Sequence, residues 1–276
     1  MVKEIGRLEE KEEKELRYKT EKILKLLDES PKKGKKKFEE FASCKNYFGR
    51  ILIAETAANS PQKDKVAEIA KSLLDSKNYA KRATALFFFY NYLMGKPEEM
   101  IEIVSNYYDS IKWEAENIMD HFWKEYPELM KSNMMKWIES ADGSKRSISF
   151  HGLENISQKD PHFVMEFIER IIDDESIEVQ KKITHTIIQI ARACPAEVYP
   201  YLKEWLKDAD DKRIKTIWVS MKKLANSLRS SGSKERNSDF AILTKDTIKD
   251  WKRSSNPKIS TMGEKLTQII KNHKRY

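Results

Sequence analysis

Glycine and proline are scarce in this chain. Its 276 residues include 8 glycines and 8 prolines, too few for an all-β fold, because such a fold turns about every 8–12 residues. Hydrophobic residues nevertheless make up 39% of the chain and aromatic residues 10%, so a core can be buried and the chain is not of the disordered class. We therefore predict an all-α protein.

Cysteines and long apolar runs are also lacking. Two cysteines, Cys44 and Cys194, cannot form a disulfide framework, which favours a reducing, cytoplasmic environment. The longest apolar run, residues 85–90, is far shorter than the roughly 20 residues that cross a membrane. No apolar segment typical of a signal peptide follows the charged start of the chain. We expect a soluble cytoplasmic protein with no membrane partner.

Motifs of metal, nucleotide and hydrolase sites are missing. The five histidines are scattered and neither cysteine has a Cys-x-x-Cys partner, so the sequence predicts no metal site. It contains neither the glycines of a phosphate-binding loop nor a Gly-x-Ser-x-Gly motif. We therefore expect no metal and no small-molecule cofactor.

Positive charge is in excess and is unevenly distributed. The chain has 52 Lys and Arg against 44 Asp and Glu, a net charge of +8. Residues 229–276 hold 12 basic against 5 acidic residues, and residues 30–50 hold 7 against 2. Two basic segments on a mildly acidic body indicate a polyanionic partner such as DNA. A solvated lysine-rich surface is the alternative interpretation.

Five prolines recur at intervals of 30 to 36 residues, at positions 61, 97, 127, 161 and 195. Proline is favoured in the first turn of a helix, so each one predicts a helix start. Trp137, Ile171 and Trp205 each follow a proline by ten residues, and a polar turn and a second amphipathic helix come next. Helix pairs at this period are typical of a solenoid, and the pattern resembles HEAT repeats more than TPR repeats.

The repeats divide the chain into three regions. We predict N-terminal helices with a Lys-rich turn in residues 1–60, five HEAT-like helix pairs in 61–228, and a basic linker with a C-terminal helix pair in 229–276. The Ser/Gly-rich stretch at 226–239 breaks the pattern. We therefore expect the C-terminal pair to be separable from the repeats.

Basic residues recur where the second helix of each pair begins, although the helix dipole disfavours a cation there. Two interpretations explain the recurrence. In one, the cations form a ladder of ion pairs between repeats, with Asp142 and Asp210 as partners. In the other, they form a row that contacts DNA phosphates. The candidates for such DNA contacts are Arg82, Lys112, Arg146, Lys181, Lys182 and Arg213.

Four polar or aromatic residues share one face of the helix predicted after residue 112. They stand at i, i+3, i+4 and i+7 and are Trp113, Glu116, Asn117 and Asp120. Two carboxylates and an amide do not fit a core face, so we expect this face to meet solvent or a groove. We expect Ile118, Met119 and Phe122 to point inward. A solvated face with one partly covered tryptophan is the alternative.

Four segments over about residues 76–218 share a family pattern. They read SKNYAKRATALFFFYNYL, KWEAENIMDHFWKEYPELMKSNMMKWIES, DGSKRSISFHG and VQKKITHTIIQIARACPAEVYPYLKEWL. This pattern resembles the HEAT-repeat DNA glycosylases of the AlkD family, the DNA alkylation repair enzymes. The resemblance implies an α-helical solenoid that holds duplex DNA along its concave face and excises bulky or positively charged alkylpurines without the usual base flipping.

The resemblance also implies a site: a Trp followed four residues later by an Asp, an Arg one repeat on, and an aromatic residue one repeat further. The Trp matches Trp113 and the Arg matches Arg146. The Asp position holds Asn117 and the aromatic position falls near His185.

An amide at the Asp position bears on catalysis, since it cannot supply the negative charge that stabilises a cationic sugar. We therefore predict weak or absent glycosylase activity, unless Glu116 or Asp120 takes the place of the missing carboxylate. A non-enzymatic HEAT scaffold for a protein partner is the alternative function. A DNA binder exposes Arg82, Arg146 and Lys182 together with Lys112, whereas a scaffold buries them or pairs them with acidic residues.

Overall fold

The computed structural model describes residues 3–230 and 238–271, and every regular element in these ranges is helical. The helices are α1 (Glu10–Glu29), α2 (Pro31–Phe41), α3 (Tyr47–Ala58), α4 (Lys63–Leu74), α5 (Tyr79–Tyr92), α6 (Pro97–Tyr107), α7 (Lys112–Glu125), α8 (Pro127–Ile138), α9 (Gly143–Ile148), α10 (Leu153–Ser157), α11 (Pro161–Ile171), α12 (Ile177–Ala193), α13 (Pro195–Lys207), α14 (Asp211–Ser230), α15 (Asp239–Lys252) and α16 (Pro257–Lys271). A short 3₁₀ turn, Tyr108–Ser110, precedes α7. The predicted all-α class is confirmed.

The predicted helix pairs are present, and sequential helices pack on each other, as α4 does on α5, α6 on α7 and α13 on α14. The predicted helical-repeat architecture is therefore confirmed. The third pair differs from the others, because its second helix is divided into α9 and α10. The division falls at Gly152, whose φ of 79° is a conformation that favours glycine.

The proline rule holds for most pairs. Pro97, Pro161 and Pro195 stand in the first turns of α6, α11 and α13, and the side chain of Asp160 caps α11 by accepting from the backbone N–H of Phe163 at 3.1 Å. Pro61 departs from the rule, since it lies in the turn two residues before α4 begins.

The chain forms two compact units, Met1–Leu129 and Met130–Tyr276. In the first unit, α1 packs on α2 and α3, and α5 packs on α3 and α4. Full burial of one large apolar side chain contributes roughly 1.5–3 kcal/mol. Side chains at most 1% exposed in this core include Leu24, Phe38, Ile53, Leu86 and Phe88.

The Lys-rich segment after residue 30 was predicted to be a turn, and this prediction is wrong because the segment forms α2. Pro31 starts the helix, and Gly34 allows close contact with α1, since a Cβ at Gly34 would lie 2.7 Å from the backbone nitrogen of Leu27. Phe38 is buried on the same helix. Burial of this face outweighs the repulsion among lysines that remain in solvent.

In the second unit, α12 packs on α13 and α14, and α15 packs on α16. The C-terminal pair packs on the repeats, because α16 contacts α13 and α14, with Trp251 1% and Leu266 0% exposed. That this pair can be separated from the repeats stays a prediction. The Ser/Gly-rich stretch interrupts the repeat pattern but leaves the apolar faces of the following helices intact. Residues 231–237 of that stretch lie outside the described residues.

Candidate functional site

Trp113 stands in the first turn of α7 and is 67% exposed. Its ring stacks on the ring of Tyr47, with centroids 5.8 Å apart and planes 22° apart. Tyr47 is the first residue of α3 and makes edge contacts with Phe48 and Phe87. The exposed ring of Trp113 and the half-buried ring of Tyr47 together form a surface that we call the aromatic ledge.

A buried ion pair lies beside the aromatic ledge. Glu114 is fully buried, and one of its carboxylate oxygens accepts from Nη2 of Arg50 at 2.8 Å. The hydroxyl of Tyr79 donates to the other oxygen. Arg50 also donates to the carbonyl oxygen of Lys45 at 2.8 Å, and its guanidinium carbon lies 5.7 Å from the ring centroid of Tyr47.

These contacts join α3, α5 and α7 at one point, because Arg50, Tyr79 and Glu114 come from the three helices in turn. Burial, the hydrogen bond to Glu114 and the negative charge of that carboxylate raise the pKa of Tyr79, so its hydroxyl stays a donor at neutral pH. Removing one partner of such a buried pair leaves the other charge without compensation. The pair therefore fixes the position of the aromatic ledge.

The remaining polar residues of α7 lie where the sequence predicts them. Asn117 is exposed, and its Nδ2 donates to the carbonyl oxygen of Trp113 at 2.8 Å. Glu116 is half-buried and accepts from the hydroxyl of Tyr108 at 2.8 Å. Asp120 is half-buried one turn further on. The predicted inward face of Ile118, Met119 and Phe122 is confirmed, since each is at most 3% exposed.

The arginines at the repeat turns contact neighbouring turns of the protein. Arg82 in the first unit donates to the carbonyl oxygens of Ser76 at 2.6 Å and Ser110 at 3.0 Å. In the second unit, Arg146 donates to the carboxylate of Asp174 at 2.5 and 3.2 Å and to the carbonyl oxygen of Ser140 at 2.8 Å. Each arginine thus links the turn of its own pair to the turn of the next.

The last of these arginines pairs in the opposite direction along the chain. Arg213 donates to the carboxylate of Asp173, in the turn of the preceding pair.

Burial alone would raise the pKa of Asp174, but hydrogen bonds from Arg146 and from the backbone N–H of Ser176 lower it overall. Asp174 therefore stays ionised beside Arg146 at neutral pH.

The expected partners of this ladder need a correction. Asp142 and Asp210 were expected to pair with the arginines, but each accepts from a backbone N–H at a helix start, Asp142 from Ser144 at 2.9 Å and Asp210 from Arg213 at 2.8 Å. These short side chains reach the free N–H groups of their own helices. The pairing falls instead to Asp173 and Asp174, which lie in the single turn between α11 and α12. The DNA contact proposed for the arginines stays a prediction.

The lysines at the corresponding positions are placed differently. Lys112 is exposed, lies 3.5 Å from Asp109 and has its ammonium 5.7 Å from the ring centroid of Tyr108. Lys181 is exposed and Lys182 is half-buried on α12. A DNA binder is expected to expose these cations, and a scaffold to bury or pair them. The lysines fit the first expectation because they reach solvent, and the arginines fit the second because they are bound within the protein.

A groove of 540 Å³ runs between α12 and α14 in the second unit. Sequence reasoning singled out Lys181 and His185 among its lining residues and missed Lys215 and Lys223, which no motif marks. Their spacing of eight residues, two turns of one helix, is the signal that could have identified them. We call these five residues the lysine groove: Lys181, His185, Lys212, Lys215 and Lys223.

The described residues contain no group of three His, Cys, Asp or Glu side chains that could hold a metal ion. None of the helices in the described ranges combines the length and the apolar character that crossing a bilayer requires.

The chain is similar to a known protein family and, at low sequence identity, to solved structures. The family model described as DNA alkylation repair enzyme matches residues 9–226. An engineered protein of known crystal structure is 14% identical, with 91% of this chain and 68% of that chain covered and a TM-score of 0.37. A designed armadillo repeat protein is also 14% identical, with 90% and 98% covered and a TM-score of 0.27. No curated protein sequence matches the chain.

Proposed function

Because the chain belongs to the DNA alkylation repair enzyme family, we propose that it binds alkylated duplex DNA and acts in its repair. The aromatic ledge contacts the damaged base, and the lysine groove contacts phosphates. The observation that carries the proposal is the exposed ring of Trp113, stacked on Tyr47 and positioned by the buried pair of Arg50 and Glu114.

The aromatic ledge suits a positively charged base. Alkylation at N3 or N7 leaves a purine with a positive charge, and a cation at the face of an indole ring gains roughly 0.5–2 kcal/mol. Stacking on an aromatic side chain gains about 1–3 kcal/mol for any base. Only the first contribution separates damaged from undamaged DNA, so we expect a preference of roughly 2- to 30-fold for the charged lesion.

The lysine groove supplies affinity without sequence preference. Its ammonium groups neutralise phosphates and release counterions, so the affinity falls steeply as the salt concentration rises. Phosphate contacts carry no base information. Lys212 contributes less than the exposed lysines, because its ammonium donates to the carbonyl oxygen of Asp173 at 2.7 Å.

Cleavage of the glycosidic bond is weak or absent in this proposal. The resemblance to the AlkD family implies an aspartate four residues after Trp113, and Asn117 stands there. A neutral amide does not stabilise a cationic sugar as a carboxylate does. Glu116 is the neighbouring carboxylate, but the hydroxyl of Tyr108 donates to one of its oxygens, and catalysis tolerates little misplacement.

The test is fluorescence anisotropy with two labelled duplexes of one sequence. One carries a single 7-methylguanine on a 2′-fluoro sugar, which prevents its release, and the other is undamaged. Trp113→Ala is expected to remove the preference for the lesion and to keep the salt-dependent binding of undamaged DNA. Tyr18→Ala, which removes another exposed aromatic ring of the first unit, is the matched control. A wild-type protein that binds both duplexes equally contradicts the role of the ledge.

A scaffold for a protein partner is the second candidate. The observation in its favour is that Arg82, Arg146 and Arg213 are already bound within the protein. The same measurement separates the two candidates, since a scaffold of this kind shows no duplex binding even at low salt.

A further inference from the structure

A second groove, of 650 Å³, lies between α14 and α16 in the second unit. Helix α16 is entirely outside the residues that match the family model, which end at 226. We call this the Trp218 groove. Its apolar lining includes Ile214, Trp218 and Met262, and its lysines are Lys215, Lys258 and Lys265.

The wall formed by α16 is held in place by its neighbours. A Cβ at Gly263 would collide with the backbone nitrogen of Lys252, so glycine allows α16 to lie directly against α15. At the start of α16, the ammonium of Lys258 donates to the carbonyl oxygen of Ala209 at 2.7 Å. Asn256 donates to the carbonyl oxygen of Lys207 at 3.3 Å. These contacts hold α16 against α15 and against the turn that follows α13.

The Trp218 groove combines an aromatic face with cations. Lys215, Trp218 and Lys222 share one face of α14, at i, i+3 and i+7, and the ammonium of Lys222 lies 5.9 Å from the indole centroid. Lys215 and Lys265 are exposed, and no acidic side chain of the described residues pairs with either. Asp211 is the one acidic residue among those that line the groove.

We propose that the Trp218 groove binds a single-stranded segment of DNA, with one base stacked on Trp218 and the adjoining phosphates at Lys215 and Lys265. An aromatic ring with cations around it is how proteins hold unpaired strands, since only an unpaired base offers its face. Lys215 also lines the lysine groove, so a strand can continue from one groove into the other. The inference rests on DNA as the partner in the proposed function.

The test compares three labelled probes: an oligothymidylate, a blunt duplex, and that duplex with a single-stranded 3′ extension. The wild-type protein is expected to bind the extended duplex roughly 5- to 150-fold more tightly than the blunt one, the gain from one stacked base. Trp218→Ala and Lys265→Glu are expected to remove this gain and to leave blunt-duplex affinity unchanged. Lys252→Glu makes the same change of charge on α15, outside the groove, and is expected to keep the gain.

Trp218→Phe keeps a ring and is expected to keep most of the gain, which guards against a loss caused by misfolding of Trp218→Ala. Equal affinities for the extended and blunt duplexes in the wild type, or a gain that survives both Trp218→Ala and Lys265→Glu, overturn the proposal. An acidic, leucine-containing peptide that binds in a Trp218-dependent way while oligothymidylate does not bind also overturns it.

Different outcomes of this experiment contradict the duplex-binding function and the proposal for the Trp218 groove. Binding of oligothymidylate without binding of the blunt duplex contradicts the duplex-binding function and supports the Trp218 groove. Salt-dependent binding of the blunt duplex without any gain from the extension contradicts the Trp218 groove alone.

Discussion

Charged side chains are buried at the start of α7, whereas most of those in the groove between α12 and α14 are exposed. Beside the aromatic ledge the charges of Arg50 and Glu114 are buried and the ring of Trp113 is exposed. In the second unit Lys181, Lys215 and Lys223 of the lysine groove are exposed, and the arginines nearby contact aspartates of neighbouring turns. The same formal charges are therefore buried and paired in one place and accessible from solvent in the other.

The chemistry of the two cations explains this division. The planar guanidinium of arginine forms several hydrogen bonds at fixed angles and suits carboxylates and turn carbonyls, whereas the compact ammonium of lysine is strongly hydrated and stays in solvent. Arg146 uses this geometry fully, with two bonds to Asp174 and two to turn carbonyls. The recurring basic residues therefore have two kinds of surroundings, because the arginines are bound within the protein and Lys112 and Lys181 are exposed.

The largest expected effect comes from breaking the buried pair. Glu114→Gln leaves the guanidinium of Arg50 buried without a counter-charge, and we expect it to lower the free energy of unfolding by about 3–5 kcal/mol. Chemical denaturation followed by circular dichroism measures this loss. Glu116→Gln, a similar change at a half-buried neighbour, is the control and is expected to cost far less. Equal losses in the two variants would show that the buried pair does not anchor this region.

The next effect concerns catalysis at the exposed face of α7. Asn117→Asp restores the carboxylate that the family resemblance implies, and we expect it to raise release of an N3- or N7-alkylated purine from duplex DNA by about 10²–10³-fold. Release is measured by chromatography of the free base. If the wild-type protein is active through Glu116, then Glu116→Gln abolishes release and preserves DNA binding. Robust wild-type release that survives neutralising both Glu116 and Asp120 contradicts this account.

Of the two residues of the aromatic ledge, the sequence predicts Trp113 and misses Tyr47. The spacing of polar residues on α7 predicts that Trp113 lies on an exposed face, because side chains three or four residues apart share one face of a helix. The same rule cannot identify Glu114 as buried, since its burial depends on Arg50, 64 residues earlier in the chain. Tyr47 is missed for the same reason, as its stacking on Trp113 arises only when α3 packs beside α5 and α7.

The sequence predicts the helix pairs better than the packing between them. Proline positions and apolar spacing predict the starts of α6, α11 and α13 because both act within one helix. The placement of the C-terminal pair depends on contacts between α16 and α14, and local composition contains no information about them. Likewise, the choice of Asp174 over Asp142 as the partner of Arg146 is decided by how one turn lies against the next.

A smaller effect is expected from the arginine ladder. Arg146→Ala removes hydrogen bonds to a carboxylate and to turn carbonyls, and we expect it to lower the free energy of unfolding by about 1.5–3 kcal/mol. It also weakens DNA binding to the same extent for all sequences if the guanidinium contacts a phosphate as well. Thermal unfolding and anisotropy measure the two effects. Arg146→Lys keeps the charge but not the geometry, and its stability should lie between those of the wild type and Arg146→Ala.

The smallest effect on stability, and the clearest one on binding, is expected in the lysine groove. Lys181 and Lys223 are exposed, so replacing either with Ala should change the free energy of unfolding by less than about 0.5 kcal/mol. Each replacement should reduce the slope of log affinity against log salt concentration by about one, because one phosphate contact is lost. Anisotropy titrations at several salt concentrations give this slope.

Lys14→Ala is the matched control for the groove variants, because Lys14 is an exposed lysine of α1 that pairs with Glu10 at 2.6 Å and lies outside the second unit. Its replacement should leave the slope unchanged. A slope that is the same in the wild type, Lys181→Ala and Lys223→Ala would place the phosphate contacts elsewhere. The ladder arginines would then be the next residues to test, since a guanidinium held by a carboxylate still has N–H groups that can face a phosphate.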